Sequence, residues 1–158
     1  MQMLSTMFTW MEKSYTGNVI TLGRGPIYSK SSKQKLVTKS SYEAEILALS
    51  DIVSTVAWIK DFLQEIGIDM EPPSLFEDNK TAIFLVTNGP STAGRVRHVH
   101  IRNAFVNQFI ADGTMQIIFC PTSQMIADIL TKPLLPPTYN ILRKFLLGYD
   151  IHMFPEQG

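Results

Sequence analysis

The chain has 158 residues, of which 45% are hydrophobic, and it carries 14 basic and 14 acidic side chains. These values predict one globular domain, which we place at residues 1–150 with a C-terminal tail at residues 151–158. No apolar run is long enough to span a membrane and no secretory signal pattern begins the chain, so we expect an intracellular protein.

The N-terminal part of the chain predicts strands. Residues 3–9 are a candidate first strand. Residues 17–22 and 27–31 have strand composition and flank the turn sequence at residues 23–26, which predicts an antiparallel hairpin. The two glycines of this turn lie between strands rather than before a helix, so they do not indicate a phosphate-binding loop.

A long amphipathic helix is predicted at residues 41–66, with Ser40 and Glu43 as its capping box and Gly67 as its stop. Glu45 is out of place on this helix. At about 100° per residue, four apolar side chains fall within about 40° of it: Leu49, Ile52, Val56 and Leu63. A carboxylate on an apolar face needs a metal, a cation or hydrogen-bond donors, so Glu45 indicates a functional site.

The rest of the chain predicts strands that alternate with helices. The strands are predicted at residues 74–77 and 115–120, and the helices at 80–87, 99–111, 123–130 and 139–147. Thr122 is the expected cap of the helix at 123–130. Strands first, followed by strands alternating with helices, predict a layered α/β domain.

Two further acidic residues lie at predicted element boundaries. Asp78 follows a short buried strand, where α/β sheets commonly build sites, and an N-cap role explains it equally well. Asp128 lies on the helix predicted at 123–130, where an i,i+4 pair with Lys132 is the alternative. If Glu45, Asp78 and Asp128 converge at one sheet edge, their hard oxygen atoms predict a site for Mg²⁺.

Basic residues cluster in two places, although the net charge is zero. Residues 13–39 contain no acidic residue and six basic ones, namely Lys13, Arg24, Lys30, Lys33, Lys35 and Lys39. The second cluster consists of Arg95, Arg97 and Arg102. Such asymmetry is typical of a phosphate-contacting face, and a solvated lysine-rich hairpin explains it as well.

Four ordered motifs carry a family resemblance. Residues 32–45, 77–83, 97–102 and 124–133 resemble the ribonuclease H region that closes copia-type retrotransposon polyproteins, and the resemblance covers roughly residues 17–148. It implies a ribonuclease H-like α/β fold, with a mixed sheet of about five strands flanked by helices. In that family, four carboxylates bind two Mg²⁺ (or Mn²⁺) ions and cut the RNA strand of an RNA–DNA hybrid.

The resemblance assigns roles to individual residues. The catalytic and metal-binding acids become Glu45, Asp78 and Asp128. Contacts to nucleic acid are assigned to Lys33, Lys35, Lys39, Asn79 and Arg97. The implied partners are an RNA–DNA hybrid and a reverse transcriptase, without a membrane.

The chain departs from the family at the first strand. The family's first acid precedes the hairpin, whereas this chain has no acidic residue before Glu12. Counting back from the hairpin places Met3 there, or Ser5 if the register slips, and we expect Glu12 in the loop before the hairpin. Neither a thioether nor a neutral hydroxyl replaces a bridging carboxylate, so we expect a degraded first strand and impaired activity.

Two other features do not favour a site. His100 stands where the family usually has an acidic residue, but His98 and His100 do not share a helix face and have no third ligand nearby, so zinc is not favoured. Cys120 lies in an apolar run, which predicts a buried structural thiol.

Three functions therefore stay open: a working metal-dependent endonuclease, a non-catalytic nucleic-acid-binding relic of the same fold, and a domain that docks on a reverse transcriptase through its apolar surface. The missing first-strand acid separates the first two functions. The salt dependence of hybrid binding separates the second from the third, because phosphate contacts weaken steeply with salt.

Overall fold

The computed structural model describes residues 7–12, 15–23, 25–33, 41–88 and 97–149. The strands are β1 (Met7–Glu12), β2 (Tyr15–Leu22), β3 (Pro26–Lys33), β4 (Ser74–Glu77) and β5 (Gln116–Phe119). The helices are α1 (Ser41–Glu65), α2 (Lys80–Thr87), α3 (Arg97–Ala111) and α4 (Pro136–Leu146). Two 3₁₀ turns, Thr122–Gln124 and Ile126–Leu130, lie between β5 and α4. The predicted tail at residues 151–158 lies outside the described ranges.

The five strands form one mixed sheet in the order β3-β2-β1-β4-β5. Strands β1, β2 and β3 are antiparallel neighbours, whereas β4 runs parallel to both β1 and β5. Crossovers through α1 and through α2 with α3 supply the parallel connections, as parallel pairing requires. The predicted ribonuclease H-like fold class is confirmed.

Two apolar clusters cover the two faces of the sheet, and neighbouring residues of β2 belong to different clusters because side chains alternate along a strand. Ile20 packs with the buried sides of α1, α2 and α3, including Leu49 and Val106. Val19 packs on the opposite face with Met125 and Phe145, which come from the 3₁₀ turns and α4. No helix in the described residues is long and apolar enough to cross a membrane.

The hairpin and the long helix are confirmed. Gly23 and Gly25 have φ values of 72° and 79°, the left-handed conformation that glycine adopts without a steric penalty, and they connect β2 to β3. The predicted stripe of α1 is buried, with Leu49, Ile52 and Val56 at most 1% exposed. The predicted capping box lies outside the described part of the chain, since it rests on Ser40 and on the side chain of Glu43.

The first strand differs from its prediction. It runs from Met7 to Glu12 rather than over residues 3–9, so the expectation that Glu12 lies in a loop is wrong. Met7 and Thr9 are both buried, at 0% and 1% exposure, which is the alternation of a strand with one face on the core. Only two residues separate β1 from β2, which leaves no room for a longer loop. The positions assigned by counting, Met3 and Ser5, lie outside the described residues.

The prediction of a helix at residues 123–130 is also wrong, because this segment forms two 3₁₀ turns. Met125 has extended backbone angles (φ −74°, ψ 96°) and a fully buried side chain, so it interrupts the helical path between the turns. Thr122 does not cap a helix, and the first turn has no side-chain cap hydrogen bond. The anchoring of Met125 in the core therefore overrides the local helical pattern.

Candidate active site at the sheet edge

The candidate site begins where the parallel strands β4 and β5 end. Glu77 and Phe119, the last residues of these strands, are paired across the sheet. Glu77 is 2% exposed, and its Oε1 atom accepts a hydrogen bond from the Asn79 backbone N–H at 3.0 Å. This contact folds the chain back at the strand end, with Asp78 at the bend.

Asp78 is not the helix cap that the sequence allowed. Asn79 holds that position, and its Oδ1 atom accepts a hydrogen bond from the Thr81 backbone N–H at 2.9 Å. Asp78 is half-buried, and its Oδ2 atom accepts a hydrogen bond from the Thr122 hydroxyl at 3.3 Å. The carboxylate of Asp78 is thus directed across the strand ends toward the loop that follows β5.

Asp128 lies in the second 3₁₀ turn and is 3% exposed. The predicted pair with Lys132 is confirmed, with 3.2 Å between Lys132 Nζ and Asp128 Oδ1. The backbone N–H groups of Thr131 and Lys132 both donate to the Asp128 carbonyl oxygen, which fixes the end of the turn. The lysine partner offsets part of the desolvation cost of this buried carboxylate.

The turn that carries Asp128 packs closely against the hairpin. A Cβ atom on Gly17 of β2 would lie 2.4 Å from Thr131 Cγ2 and 2.9 Å from the Ala127 carbonyl oxygen. The Ser31 hydroxyl of β3 donates to the Leu130 carbonyl oxygen at 2.7 Å. Glycine at position 17 therefore lets the turn approach the sheet, and this approach positions Asp128.

We expect Gly17→Ala to lower the free energy of unfolding by about 1–3 kcal/mol, because the added methyl group overpacks this contact. Alanine is normally better than glycine within a strand, so a loss would report the clash. Urea denaturation measures the effect. In a Thr131→Ser background the methyl contact disappears while the carbonyl contact stays, so part of the loss should be recovered. An unchanged unfolding free energy in Gly17→Ala would contradict this packing.

Cys120 follows β5 directly and lies near the candidate site. Its thiol is 1% exposed, which confirms the predicted buried cysteine. Burial raises the pKa of Cys120 from 9.0 to about 12, and the negative charges of Asp78 and Asp128 add to the rise. The two charges come from separate parts of the chain, since Asp78 follows β4 and Asp128 lies in the second 3₁₀ turn.

The raised pKa of Cys120 predicts a loss of stability at alkaline pH. Because the folded-state pKa is above the unfolded one, the stabilising contribution is complete below pH 9.0 and is lost as the pH rises toward about 12. The unfolding free energy of the metal-free protein should therefore fall more steeply across this window than that of Cys120→Ala. Urea titrations at several pH values measure both slopes, and equal slopes would show that the native thiol ionises normally.

The relatives of this chain identify its family. No family model matches the chain. A Pol polyprotein of transposon RE2 from Arabidopsis thaliana is 35% identical over 122 residues, which cover 77% of this chain. One from transposon TNT 1-94 of Nicotiana tabacum is 32% identical over 136 residues, or 86% of this chain. A Ty1-DR5 Gag-Pol polyprotein of Saccharomyces cerevisiae is 28% identical over 130 residues, or 82% of this chain. The match to these relatives and the order of the strands in the sheet indicate the same family. The chain is a ribonuclease H-like domain related to retrotransposon Pol polyproteins.

The ribonuclease H-like domain corresponds to a small part of those relatives. It spans 8%, 10% and 7% of the three polyproteins. Two solved structures of LC11-RNase H1, one of them in complex with an RNA/DNA hybrid, are 17% and 16% identical to it. Their TM-scores are 0.45 and 0.47, with 76% and 79% of this chain and 87% and 90% of theirs covered.

The described part of the domain supplies two of its three predicted metal ligands. Asp78 and Asp128 offer hard carboxylate oxygens, and Cys120 stays a protonated thiol, so the donor chemistry fits Mg²⁺ or Mn²⁺ rather than a soft metal. Glu45 lies in the first turns of α1, and its side chain is outside the described part. Within the described residues, no three His, Cys, Asp or Glu side chains could hold a metal ion. The three-acid site stays a prediction.

The predicted nucleic-acid contacts of the domain are only partly described. Lys33 at the end of β3 and Arg97 at the start of α3 are exposed, whereas Asn79 is half-buried and caps α2. Lys35 and Lys39 lie outside the described residues. Arg102 of the second basic cluster forms an ion pair with Asp51 of α1.

The sequence interpretation missed two positioning residues of the domain. The sequence predicts Thr122 as a helix cap, yet its hydroxyl donates to Asp78. The sequence predicts Gly17 only as the first residue of a strand, yet Gly17 contacts the turn that carries Asp128. A signal existed for Gly17, because a glycine inside a strand often marks a close approach of another segment. No comparable signal existed for Thr122.

Proposed function

We propose that this domain descends from a metal-dependent endonuclease that cleaves the RNA strand of RNA–DNA hybrids, and that its activity is impaired because the first strand lacks an aspartate. The observation that carries the proposal is the place of Asp78 at the end of the parallel strands, where its Oδ2 atom accepts a hydrogen bond from the Thr122 hydroxyl, while the buried Asp128 lies on the turn that packs against β2. Sites in open α/β sheets form at this edge. The relationship to retrovirus-related Pol polyproteins supports the substrate class.

The chain's own residues hold the acids of this site in place. The Thr122 hydroxyl orients one oxygen of Asp78, and the Lys132 ammonium balances the charge of Asp128. Mg²⁺ or Mn²⁺ would be held by Asp78, Asp128 and Glu45. When bound, such an ion would activate a water molecule and stabilise the leaving oxygen.

Cleavage of a labelled RNA–DNA hybrid in Mg²⁺ or Mn²⁺ tests the proposal. The unaltered chain is compared with Glu45→Gln and with two variants that supply the missing aspartate, Met3→Asp at the position reached by counting and Glu12→Asp at the end of β1. Cleavage that appears or strengthens on restoration supports descent with impaired activity. Full cleavage by the unaltered chain, lost in Glu45→Gln, would show that three carboxylates suffice. Binding without cleavage in every variant would favour a non-catalytic relic that holds the hybrid through Lys33, Lys35, Lys39 and Arg97.

A second candidate function is docking on a reverse transcriptase, and the outer face of α1 favours it. Trp58 and Phe62 are 66% and 47% exposed, and their rings stack at 5.8 Å with an interplanar angle of 14°. Ile66, one turn further along, is 56% exposed. Gel filtration with the reverse transcriptase region of a related Pol polyprotein tests this function. A complex that resists high salt and is lost in Trp58→Ser would support it.

A further inference from the structure

An exposed aromatic ring lies beside the candidate site and has no role in the functions considered so far. Phe119 ends β5 and is 42% exposed, whereas Leu75 and Phe76 of the neighbouring strand β4 are each 1% exposed. It is paired across the sheet with Glu77, so it lies one residue from the level of Asp78. The ring is therefore at the edge of the sheet where Asp78 lies.

A lysine covers this ring. Lys80 Nζ lies 4.7 Å from the ring centroid of Phe119, which is a cation–π distance. Lys80 is exposed and is the first residue of α2, where the helix dipole favours anionic side chains and the first turn contains none. The stability of α2 thus gives no reason for a cation at this position, whereas an anionic ligand would.

The loop after β5 connects this pair to Asp78. Thr122, three residues after Phe119, is exposed and donates its hydroxyl to Asp78 Oδ2 at 3.3 Å. The Phe119 ring, the Lys80 ammonium and the Thr122 hydroxyl therefore lie at the same edge of the sheet. A solvent-exposed ring beside a cation can contact one strand of a nucleic acid, with a sugar on the ring and a phosphate on the ammonium.

We infer that Phe119 and Lys80 form a contact for one strand of an RNA–DNA hybrid beside Asp78. The inference rests on the proposed function for its ligand class, but it concerns binding and not cleavage. Phe119 supplies the packing surface for a sugar and Lys80 the phosphate contact. The alternative, in which Lys80 only shields an exposed ring from water, predicts no effect of either side chain on nucleic-acid affinity.

The test is fluorescence anisotropy of a labelled RNA–DNA hybrid in EDTA, over a range of salt concentrations, so that affinity is measured without metal-dependent cleavage. Phe119→Leu should weaken binding severalfold, because the bases of a duplex are stacked on one another and the ring packs against a sugar of one strand. Lys80→Gln should weaken binding less and lower the slope of the salt dependence by about one. Two matched controls should bind like the parent: Phe84→Leu, an exposed phenylalanine on α2, and Lys144→Gln, an exposed lysine on α4.

The outcomes separate this inference from the proposed function. Equal affinities of Phe119→Leu and Phe84→Leu would overturn the inference, even if the parent cleaves the hybrid. Phe119-dependent binding without cleavage by the parent or by either aspartate-restoring variant would support the inference and remove the catalytic part of the proposed function. A parent that binds no hybrid at low salt would overturn both. Thermal unfolding of each variant checks that lost affinity does not come from lost folding.

Discussion

Asp128→Asn is expected to lower the affinity for Mn²⁺ at least about tenfold, the scale on which loss of even an outer-shell partner weakens a metal site. The substitution keeps the shape of the side chain and removes its charge. Asp128 is one of the two described carboxylates near Cys120, so its loss removes a large part of the negative charge available to a divalent cation. Isothermal titration calorimetry with Mn²⁺ measures the change.

A second variant, at Lys132, should change the affinity for Mn²⁺ in the opposite direction. Its ammonium lies 3.2 Å from Asp128 Oδ1, where it competes with a metal ion for the same oxygen. Lys132→Gln should therefore raise Mn²⁺ affinity, whereas Asp128→Asn lowers it. Asp51→Asn is the matched control, because Asp51 is an exposed aspartate on α1 and should leave affinity unchanged. If Asp128→Asn and Asp51→Asn bind Mn²⁺ equally, Asp128 is a structural residue and not a ligand.

Elements whose burial pattern decides their structure were predictable from the sequence. Strand β4 is buried at all four positions, and its predicted bounds are those observed. Helix α2 also has its predicted bounds, since Asn79 caps it and Asn88 follows it. In both cases the local pattern and the tertiary environment favour the same structure, which is why short-range reasoning suffices.

The sequence predictions are wrong where contacts with distant parts of the chain determine the backbone conformation. The segment around Met125 has helical spacing, yet Met125 is drawn into the cluster under Val19 and its backbone is extended. Similarly, β1 is defined by its two neighbours in the sheet, and a weak alternation in the sequence does not fix where it starts. Pairing partners far along the chain are not visible in local periodicity.

The acids of the candidate site were predictable as residue types, but their environments were not. Asp78 and Asn79 are both good N-caps, and only the structure shows that Asn79 caps α2 while Asp78 accepts from Thr122. The pairing of Asp128 with Lys132 follows from their spacing. The position of Asp128 depends on how its turn packs against β2, which the sequence indicates only through Gly17.

The placement of β1 changes which variant should restore activity. Trp10 pairs with Phe76 of β4, and continuing this parallel register by two residues brings the backbone of Glu12 level with Asp78. Met3, the position reached by counting, precedes β1. We therefore expect Glu12→Asp, and not Met3→Asp, to increase cleavage of the RNA–DNA hybrid.

The expected gain from Glu12→Asp is at least about 100-fold, because a displacement of about 1 Å at a reacting centre costs about that factor and aspartate is one methylene group shorter than glutamate. Initial rates on the labelled hybrid in Mn²⁺ measure it. Glu12→Gln is the control for charge, and it should show no gain, since an amide does not replace a carboxylate ligand. Recovery in Met3→Asp alone would instead mean that the active protein pairs an earlier segment with β4.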